Sequence, residues 1–210
     1  MKDVYMFPLG ELGANCYIIP TADKKAVVID PASSAEVLMF LQGNDLTLGS
    51  IIITHGHFDH FAGVYELKKQ TGAEIIAPAA DVQMLNNATK CWADFMPHTE
   101  FHPIVPDRTF SGNEEFTASG VEFMAMAAPG HTIGSCLLFC RTLGNVIFSG
   151  DVLFRGAVGR TDGFSGSRLQ MKETLHEINL IDGEYTIYCG HGEPTTLETE
   201  KKYNPYVGAY

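Results

Sequence analysis

The strongest constraint in this sequence is the six-residue run HGHFDH, which is separated by one threonine from three consecutive isoleucines. The isoleucines at 51–53 predict a buried strand, so the run starts at the end of a rigid element. Imidazole and carboxylate groups are good ligands for zinc, iron and manganese ions. His55 and His57, two residues apart, can share one ion, while Asp59 and His60 can reach a neighbouring position. The run therefore predicts a metal site rather than a solvated polar cluster.

Three later residues extend this set, and each stands where a predicted strand ends at a glycine turn. His131 lies in APGHTIGS, Asp151 in IFSGD and His191 in CGHGEPTT. Loops at the ends of strands on a rigid scaffold are the expected place for functional side chains. A lone histidine is more often structural, but beside HGHFDH each of the three becomes a candidate ligand.

The hydrophobic pattern predicts more strands than helices, with the helices lying between groups of strands. The predicted strands cover residues 4–9, 15–19, 26–29, 48–54, 74–77, 121–126, 135–140, 146–149 and 185–189, and the predicted helices cover 34–42, 61–70, 79–87 and 168–179. This order predicts an α+β fold in which two β-sheets pack face to face, with helices on the outer faces. No linker interrupts the chain, so we expect a single domain over residues 1–210.

Composition restricts the class of partner and the compartment. The formal net charge of −11 disfavours binding to nucleic acid, whose phosphates would be repelled. No run of about 18 apolar residues predicts a membrane span, and the N-terminus shows no signal peptide. Five cysteines without CxxC spacing fit a reducing cytosol. We therefore expect a cytoplasmic protein that acts on a small molecule, with a homo-oligomer left open.

The order H-x-H-x-D-H, then a distant histidine, an aspartate and a final histidine, resembles the metallo-β-lactamase superfamily over nearly the whole chain. The segments PGHTIGS, SGD followed by LFRGAVGRTD, and GHGEPTTLETEKKYNP are most similar to glyoxalase II (hydroxyacylglutathione hydrolase) and its short bacterial relatives. The resemblance implies an αββα sandwich of two mixed β-sheets. It also implies a chain without the helical C-terminal extension through which full-length glyoxalase II contacts glutathione.

The same resemblance implies a cofactor and a ligand set. Two divalent ions are expected, with zinc favoured and iron or manganese left open. One ion would be held by His55, His57 and His131, the other by Asp59, His60 and His191, with Asp151 bridging the two. Asp59 is also the implied group that steers the proton of the attacking water, so Asp59 and Asp151 are the catalytic candidates.

The implied reaction is hydrolysis of a glutathione-type thioester, such as S-lactoylglutathione, by metal-bound hydroxide. A thiolate with a pKa of about 8.5 leaves with little help from an acid. Arg155, Arg160 and Arg168 follow Asp151 in the sequence and are candidates to bind the carboxylates of such a substrate. Solvation or a structural ion pair, as between Arg160 and Asp162, explains each arginine equally well.

Two other functions stay open. Mononuclear iron dioxygenases that act on glutathione persulfide resemble the same subgroup, including the GRTD stretch, and hold one iron with two histidines and one aspartate. Retention of Asp59, His60 and His191 favours two ions over one. A non-catalytic metal-binding module is the third reading, and the complete ligand set disfavours it.

The segment 88–107 carries no regular pattern and is predicted to be a loop. Its histidines, His98 and His102, are candidates for an additional metal site. Alternatively, the segment overhangs the pocket, with Trp92, Phe95 and Phe101 forming a wall.

Overall fold

The computed structural model describes residues 4–207, which form two six-stranded sheets, a two-stranded ribbon and five α-helices. The first sheet contains its strands in chain order: β1 (Tyr5–Leu9), β2 (Ala14–Pro20), β3 (Lys25–Ile29), β4 (Thr47–Ile52), β5 (Glu74–Pro78) and β6 (Arg108–Phe110). The pairs β1–β2 and β2–β3 are antiparallel, whereas β3 to β6 run parallel. The carboxyl ends of β3, β4 and β5 therefore meet at one edge.

The second sheet is also mixed, with the order β14-β13-β10-β9-β8-β7. Its strands are β7 (Glu114–Ala118), β8 (Val121–Ala127), β9 (Cys136–Cys140), β10 (Val146–Gly150), β13 (Thr186–Cys189) and β14 (Thr195–Thr196), while β11 (Leu153–Phe154) and β12 (Ala157–Val158) form the ribbon. Only β10 and β13 are parallel neighbours among these strands. Both strands end at the same side and carry their loops to a common place.

Helices cover the outer face of each sheet, which gives four layers. They are α1 (Ala35–Gly43), α2 (Val64–Thr71) and α3 (Val82–Leu85) on the first sheet, and α4 (Arg168–Leu180) and α5 (Leu197–Tyr203) on the second. The middle apolar layer joins the two sheets, with Ile52 of β4 and Phe148 of β10 among its members. Ile51 and Ile53 face the helical side instead. Because the sheet is buried on both faces, consecutive isoleucines are accommodated.

The structure confirms the predicted α+β sandwich and its two mixed sheets. Helix α3 is shorter than the predicted span 79–87, because a 3₁₀ turn precedes it and Asp81 leaves the helical conformation. Helix α2 begins at Val64, after a second 3₁₀ turn at 58–60. The sequence pattern missed the short strands β6, β7, β11, β12 and β14 and the helix α5. No helix within residues 4–207 has the length and apolar character needed to cross a bilayer.

Candidate metal centre

The seven candidate ligands lie together at the edge where the strands end. His55 to His60 follow β4, Asp151 follows β10, His191 follows β13, and His131 lies in the loop between β8 and β9. All of these loops start from buried strands, so the side chains are positioned by the packed core of the sandwich.

Three histidines form the first group, which we call the histidine cluster: His55, His57 and His131. Their ligand atoms lie within 4.8 Å of one another, and all three side chains are buried. Nδ1 of His57 is 2.7 Å from Nε2 of His131. The His55 ring stands 4.8 Å from that of His131, centroid to centroid. The cluster offers one cation three nitrogen ligands from two different loops.

Asp59, His60 and His191 form the second group, which we call the mixed cluster, with ligand atoms again within 4.8 Å of one another. Oδ2 of Asp59 is 3.2 Å from Nε2 of His191 and 3.5 Å from Nε2 of His60. His60 is fully buried, whereas 28% of the His191 side chain is exposed. This cluster is therefore the more open of the two.

Asp151 lies between the two clusters. Its Oδ2 is 3.5 Å from Nε2 of His131 in the histidine cluster and 3.7 Å from Nε2 of His191 in the mixed cluster, while its Oδ1 is 3.3 Å from Nε2 of His60. A β-carbon at position 190 would collide with Oδ1 of Asp151, so only glycine fits before His191.

Hydrogen-bond partners behind the rings determine which nitrogen faces the centre. Nδ1 of His131 is 2.8 Å from the carbonyl oxygen of Arg160 and must donate to it. Nδ1 of His60 donates in the same way to Asp30 Oδ2 at 3.0 Å. In the neutral ring, Nε2 then carries the lone pair that a metal ion requires.

His55 is oriented through one further residue. The Thr54 hydroxyl donates to Asp30 Oδ2 at 2.6 Å, so its oxygen accepts from Nδ1 of His55 at 3.0 Å. Nε2 of His55 is consequently free to face the cluster.

Several polar atoms in this region are buried without a hydrogen-bond partner. They include Nε2 of His55, His57 and His60 and Oδ1 of Asp151. Buried polar atoms are almost always paired, so unpaired ones that converge at one place fit the binding of a cation. Neutral imidazoles with carboxylates are donors that suit divalent cations, and the two clusters around Asp151 fit a dinuclear site.

The pKa values of the histidines differ between the two clusters. Burial, reinforced by the neighbouring His131, lowers the pKa of His57 to about 3, and burial also lowers the pKa values of His55 and His131. Burial alone would lower the pKa of His60 as well, but Asp151 and Asp59 raise it. The lowered pKa values favour neutral rings in the histidine cluster, whereas the raised pKa of His60 favours a protonated ring in the mixed cluster.

Two buried carboxylates that the sequence analysis missed position the ligand loops. Asp30 follows β3 and accepts the backbone N–H of Thr54 at 2.8 Å, in addition to the bonds described above. Asp81 follows β5 and accepts the N–H groups of Gly56 and Gly134, each at 2.8 Å. Asp30 also lies within 4.8 Å of His55 and His60, but its oxygens already accept three hydrogen bonds, so it orients ligands rather than forming a third cation site.

A cavity of about 740 Å³ opens over both clusters. On the side of the histidine cluster, the Trp92 ring stacks on His57 with centroids 4.4 Å apart and planes inclined by 11°. The Cζ atom of Arg160 lies over the indole ring, 4.6 Å from its centroid. Trp92 and Phe95 thus form the wall that the sequence suggested for segment 88–107. Phe101 packs on Phe58 in the core instead.

The three candidate substrate-binding arginines differ in placement. Arg160 lines the cavity, but its guanidinium donates to both carboxylate oxygens of Asp162, at 2.6 and 2.8 Å. Arg155 forms an ion pair with Glu193 at the surface, and Arg168 begins α4. Neither of these two is among the cavity-lining residues. Among the described residues, His98 and His102 do not join a potential metal-binding group.

Comparison with known proteins identifies the family. Residues 9–191 match the family model described as the metallo-beta-lactamase superfamily, and the chain belongs to that superfamily. It is 30% identical over 210 residues to a protein named hydroxyacylglutathione hydrolase GloC from Haemophilus influenzae, covering 99% of each chain. It is 34% identical over 171 residues to a hydroxyacylglutathione hydrolase from Ectopseudomonas mendocina, where it spans only 57% of that protein's length.

Solved structures agree with this assignment. The BLEG-1 B3 metallo-beta-lactamase superposes with a TM-score of 0.89 at 28% identity, covering 98% of this chain and 99% of that one. TTHA1623 in a di-iron-bound form gives 0.86 at 28% identity, covering 97% and 100%. ETHE1 from Myxococcus xanthus gives 0.77 at 26% identity, covering 98% and 85%.

Proposed function

We propose that this protein is a hydrolase that uses two divalent metal ions, zinc in the first instance, to cleave a glutathione-type thioester. The ions would be held by the histidine cluster and the mixed cluster, with Asp151 as the bridge. The position of Asp151 carries the proposal, because its carboxylate faces ring nitrogens of both clusters and its Oδ1 has no hydrogen-bond partner. A di-iron-bound structural relative supports a pair of ions, without indicating which metal this chain takes.

The bound ions would supply an activated water and a Lewis acid for the substrate carbonyl. Asp59 lines the cavity, and we assign it to hold the proton of the attacking water. Burial would raise the pKa of Asp59, but His60 and the hydrogen bond to His191 lower it. The carboxylate is therefore ionised at neutral pH and able to accept that proton. Asp151 would contribute a carboxylate oxygen toward each of the two positions.

A thioester suits a site of this kind. Its thiolate leaves without protonation near neutral pH, so no additional acid is needed in the cavity. Ser149 does not offer a competing nucleophile, because its buried hydroxyl donates to the carbonyl oxygen of Leu153 at 2.8 Å. Two relatives named hydroxyacylglutathione hydrolase support a small-molecule thioester as the substrate class.

The decisive experiment measures metal content and three activities on one preparation. We expect about two ions per chain and hydrolysis of S-lactoylglutathione. One iron per chain, with oxygen consumed on glutathione persulfide, would favour the dioxygenase instead. A β-lactam serves as the third substrate because of the similarity to BLEG-1, and preferential turnover of it would overturn the thioester assignment.

A further inference from the structure

Part of the cavity lining is apolar and comes from segments outside the two clusters. Leu12 lies in the β1–β2 turn, Phe95 and Met96 follow Trp92, and Phe154 belongs to the β11–β12 ribbon. Leu12 is 61% exposed and Phe95 is 78% exposed. Large apolar side chains exposed beside a reactive centre indicate contact with an apolar ligand.

The charges beside these apolar residues disfavour an anionic group there, so we expect the carboxylates of a glutathione-type thioester to remain in solvent. Arg160 is the only lysine or arginine side chain among the described residues that line the cavity, and its Nε and Nη2 already donate to the two carboxylate oxygens of Asp162. Its Cζ also lies 4.6 Å from the centroid of the Trp92 ring, so the guanidinium packs beside the aromatic side chain. Asp162 itself adds negative charge at the rim, in a chain whose formal net charge is −11.

We propose that this wall, defined as Leu12, Trp92, Phe95, Met96 and Phe154, binds an apolar group of the substrate, either a hydrocarbon or an aromatic ring. The inference rests on the proposed thioesterase function, since it places the reacting carbonyl at the clusters and the apolar group beside them. That group belongs to the acyl part or to the thiol part of the thioester. Both sources present the same chemistry to the wall.

Binding measured apart from turnover tests the wall directly. Trp92 is the only tryptophan of the chain, so its fluorescence reports ligands that reach the wall. The probes are thioethers of N-acetylcysteamine, which cannot be hydrolysed: S-methyl, S-hexyl and S-(5-carboxypentyl), titrated into the metal-loaded protein. Burial of one methylene group strengthens binding by up to about fourfold. We expect the hexyl compound to bind at least about tenfold more tightly than the methyl and the carboxypentyl compounds.

Variants of the wall residues test which side chains cause the tighter binding of the hexyl compound. Leu12→Ala and Phe95→Ala should each weaken binding of the hexyl compound severalfold and leave the methyl compound unchanged. Leu169→Ala is the matched control, since Leu169 is 68% exposed on α4 and does not line the cavity. Equal affinity for the hexyl and methyl compounds, or tightest binding of the carboxypentyl compound, would overturn the proposal.

Turnover then distinguishes the source of the apolar group. Acetyl and hexanoyl thioesters of N-acetylcysteamine vary the acyl part, and acetyl thioesters of ethanethiol and hexanethiol vary the thiol. The series in which kcat/KM rises with chain length identifies the part on the wall. Tight binding of the hexyl thioether without turnover of any thioester would support the apolar wall and refute the proposed function. Turnover with flat affinity and flat kcat/KM would refute only the wall.

Discussion

The histidine cluster and the mixed cluster share one edge of the sandwich but are prepared for a cation in opposite ways. The histidine cluster is buried, contains no carboxylate of its own and is covered by Trp92. Its low pKa values keep the nitrogen lone pairs available at neutral pH. The mixed cluster holds a carboxylate, is more open and has raised histidine pKa values, so a cation there must displace protons. The difference predicts that the histidine cluster is the higher-affinity position at acidic pH.

The largest effect is expected from the residue that the clusters share. Asp151→Ala removes the carboxylate facing both, so metal binding should fall at both positions and kcat/KM for S-lactoylglutathione should drop by more than about 100-fold. Elemental analysis and steady-state kinetics measure the two losses. Asp182→Ala, at an exposed turn beside Gly183, is the control and should change neither. Full metal content with near-normal turnover in Asp151→Ala would show that the carboxylate does not bridge.

Removing one ligand from each cluster tests whether the two are separate positions. His191→Ala should leave the histidine cluster complete, with about one ion per chain and a 10- to 100-fold loss of activity. His131→Ala should lose the tighter ion, because it deletes a ligand whose Nε2 also approaches Asp151. Titration of each metal-free variant with zinc measures the remaining sites. Identical titration curves for both variants would refute two distinguishable positions.

Removal of the Trp92 ring is expected to have a smaller effect, which is confined to the metal affinity of the histidine cluster. Trp92→Ala removes the ring stacked on His57, so His57 gains freedom that metal binding must then restrict. We expect affinity at the histidine cluster to weaken by up to about tenfold in competition with a chromophoric chelator, and Trp92→Phe to retain most of it. Phe95 lines the same cavity, so Phe95→Ala serves as the control. A comparable loss in that control would contradict a role for stacking.

The smallest effect concerns the pH dependence of the metal-free protein. The pKa of His57 is about 3 in the folded chain and about 6.5 when unfolded, so the unfolded state binds more protons as the pH falls below 6.5. His57 should therefore reduce the free energy of unfolding by about 1 kcal/mol between pH 6.5 and 5.5. His60, with a raised pKa, contributes stability below pH 6.5 that is lost as the pH rises through its folded pKa.

Urea unfolding at pH 6.5 and 5.5 measures this contribution as the difference between the wild type and His57→Asn. The variant lacks the titrating ring and should show the smaller decrease on acidification. An equal decrease in both proteins would mean that His57 is not held in its neutral form.

Much of the centre was predictable because its ligands are marked locally. HGHFDH is contiguous, and His131, Asp151 and His191 each follow a strand at a glycine turn, which placed them at one edge once the sandwich was inferred. Asp30 and Asp81 carry no such signal. Their roles depend on β3, β4 and β5 being parallel neighbours, and a single sequence does not encode that pairing visibly.

The contact between Trp92 and His57 could not be predicted for a different reason. It lies in a segment without periodicity and adopts a left-handed backbone conformation with φ of 67°. Its stacking partners, His57 and Arg160, are distant in the sequence. Only the assembled structure could show that the wall suggested for this segment contacts a candidate ligand.

The position of Asp30 has a thermodynamic consequence for the pair of ions. One of its oxygens accepts from His60 of the mixed cluster and from Thr54, which in turn orients His55 of the histidine cluster. An ion in either cluster would therefore restrict a carboxylate that also orients a ligand of the other. The two binding events are expected to be positively cooperative. Such coupling is reciprocal, so chelation of one ion would weaken retention of the other by the same factor.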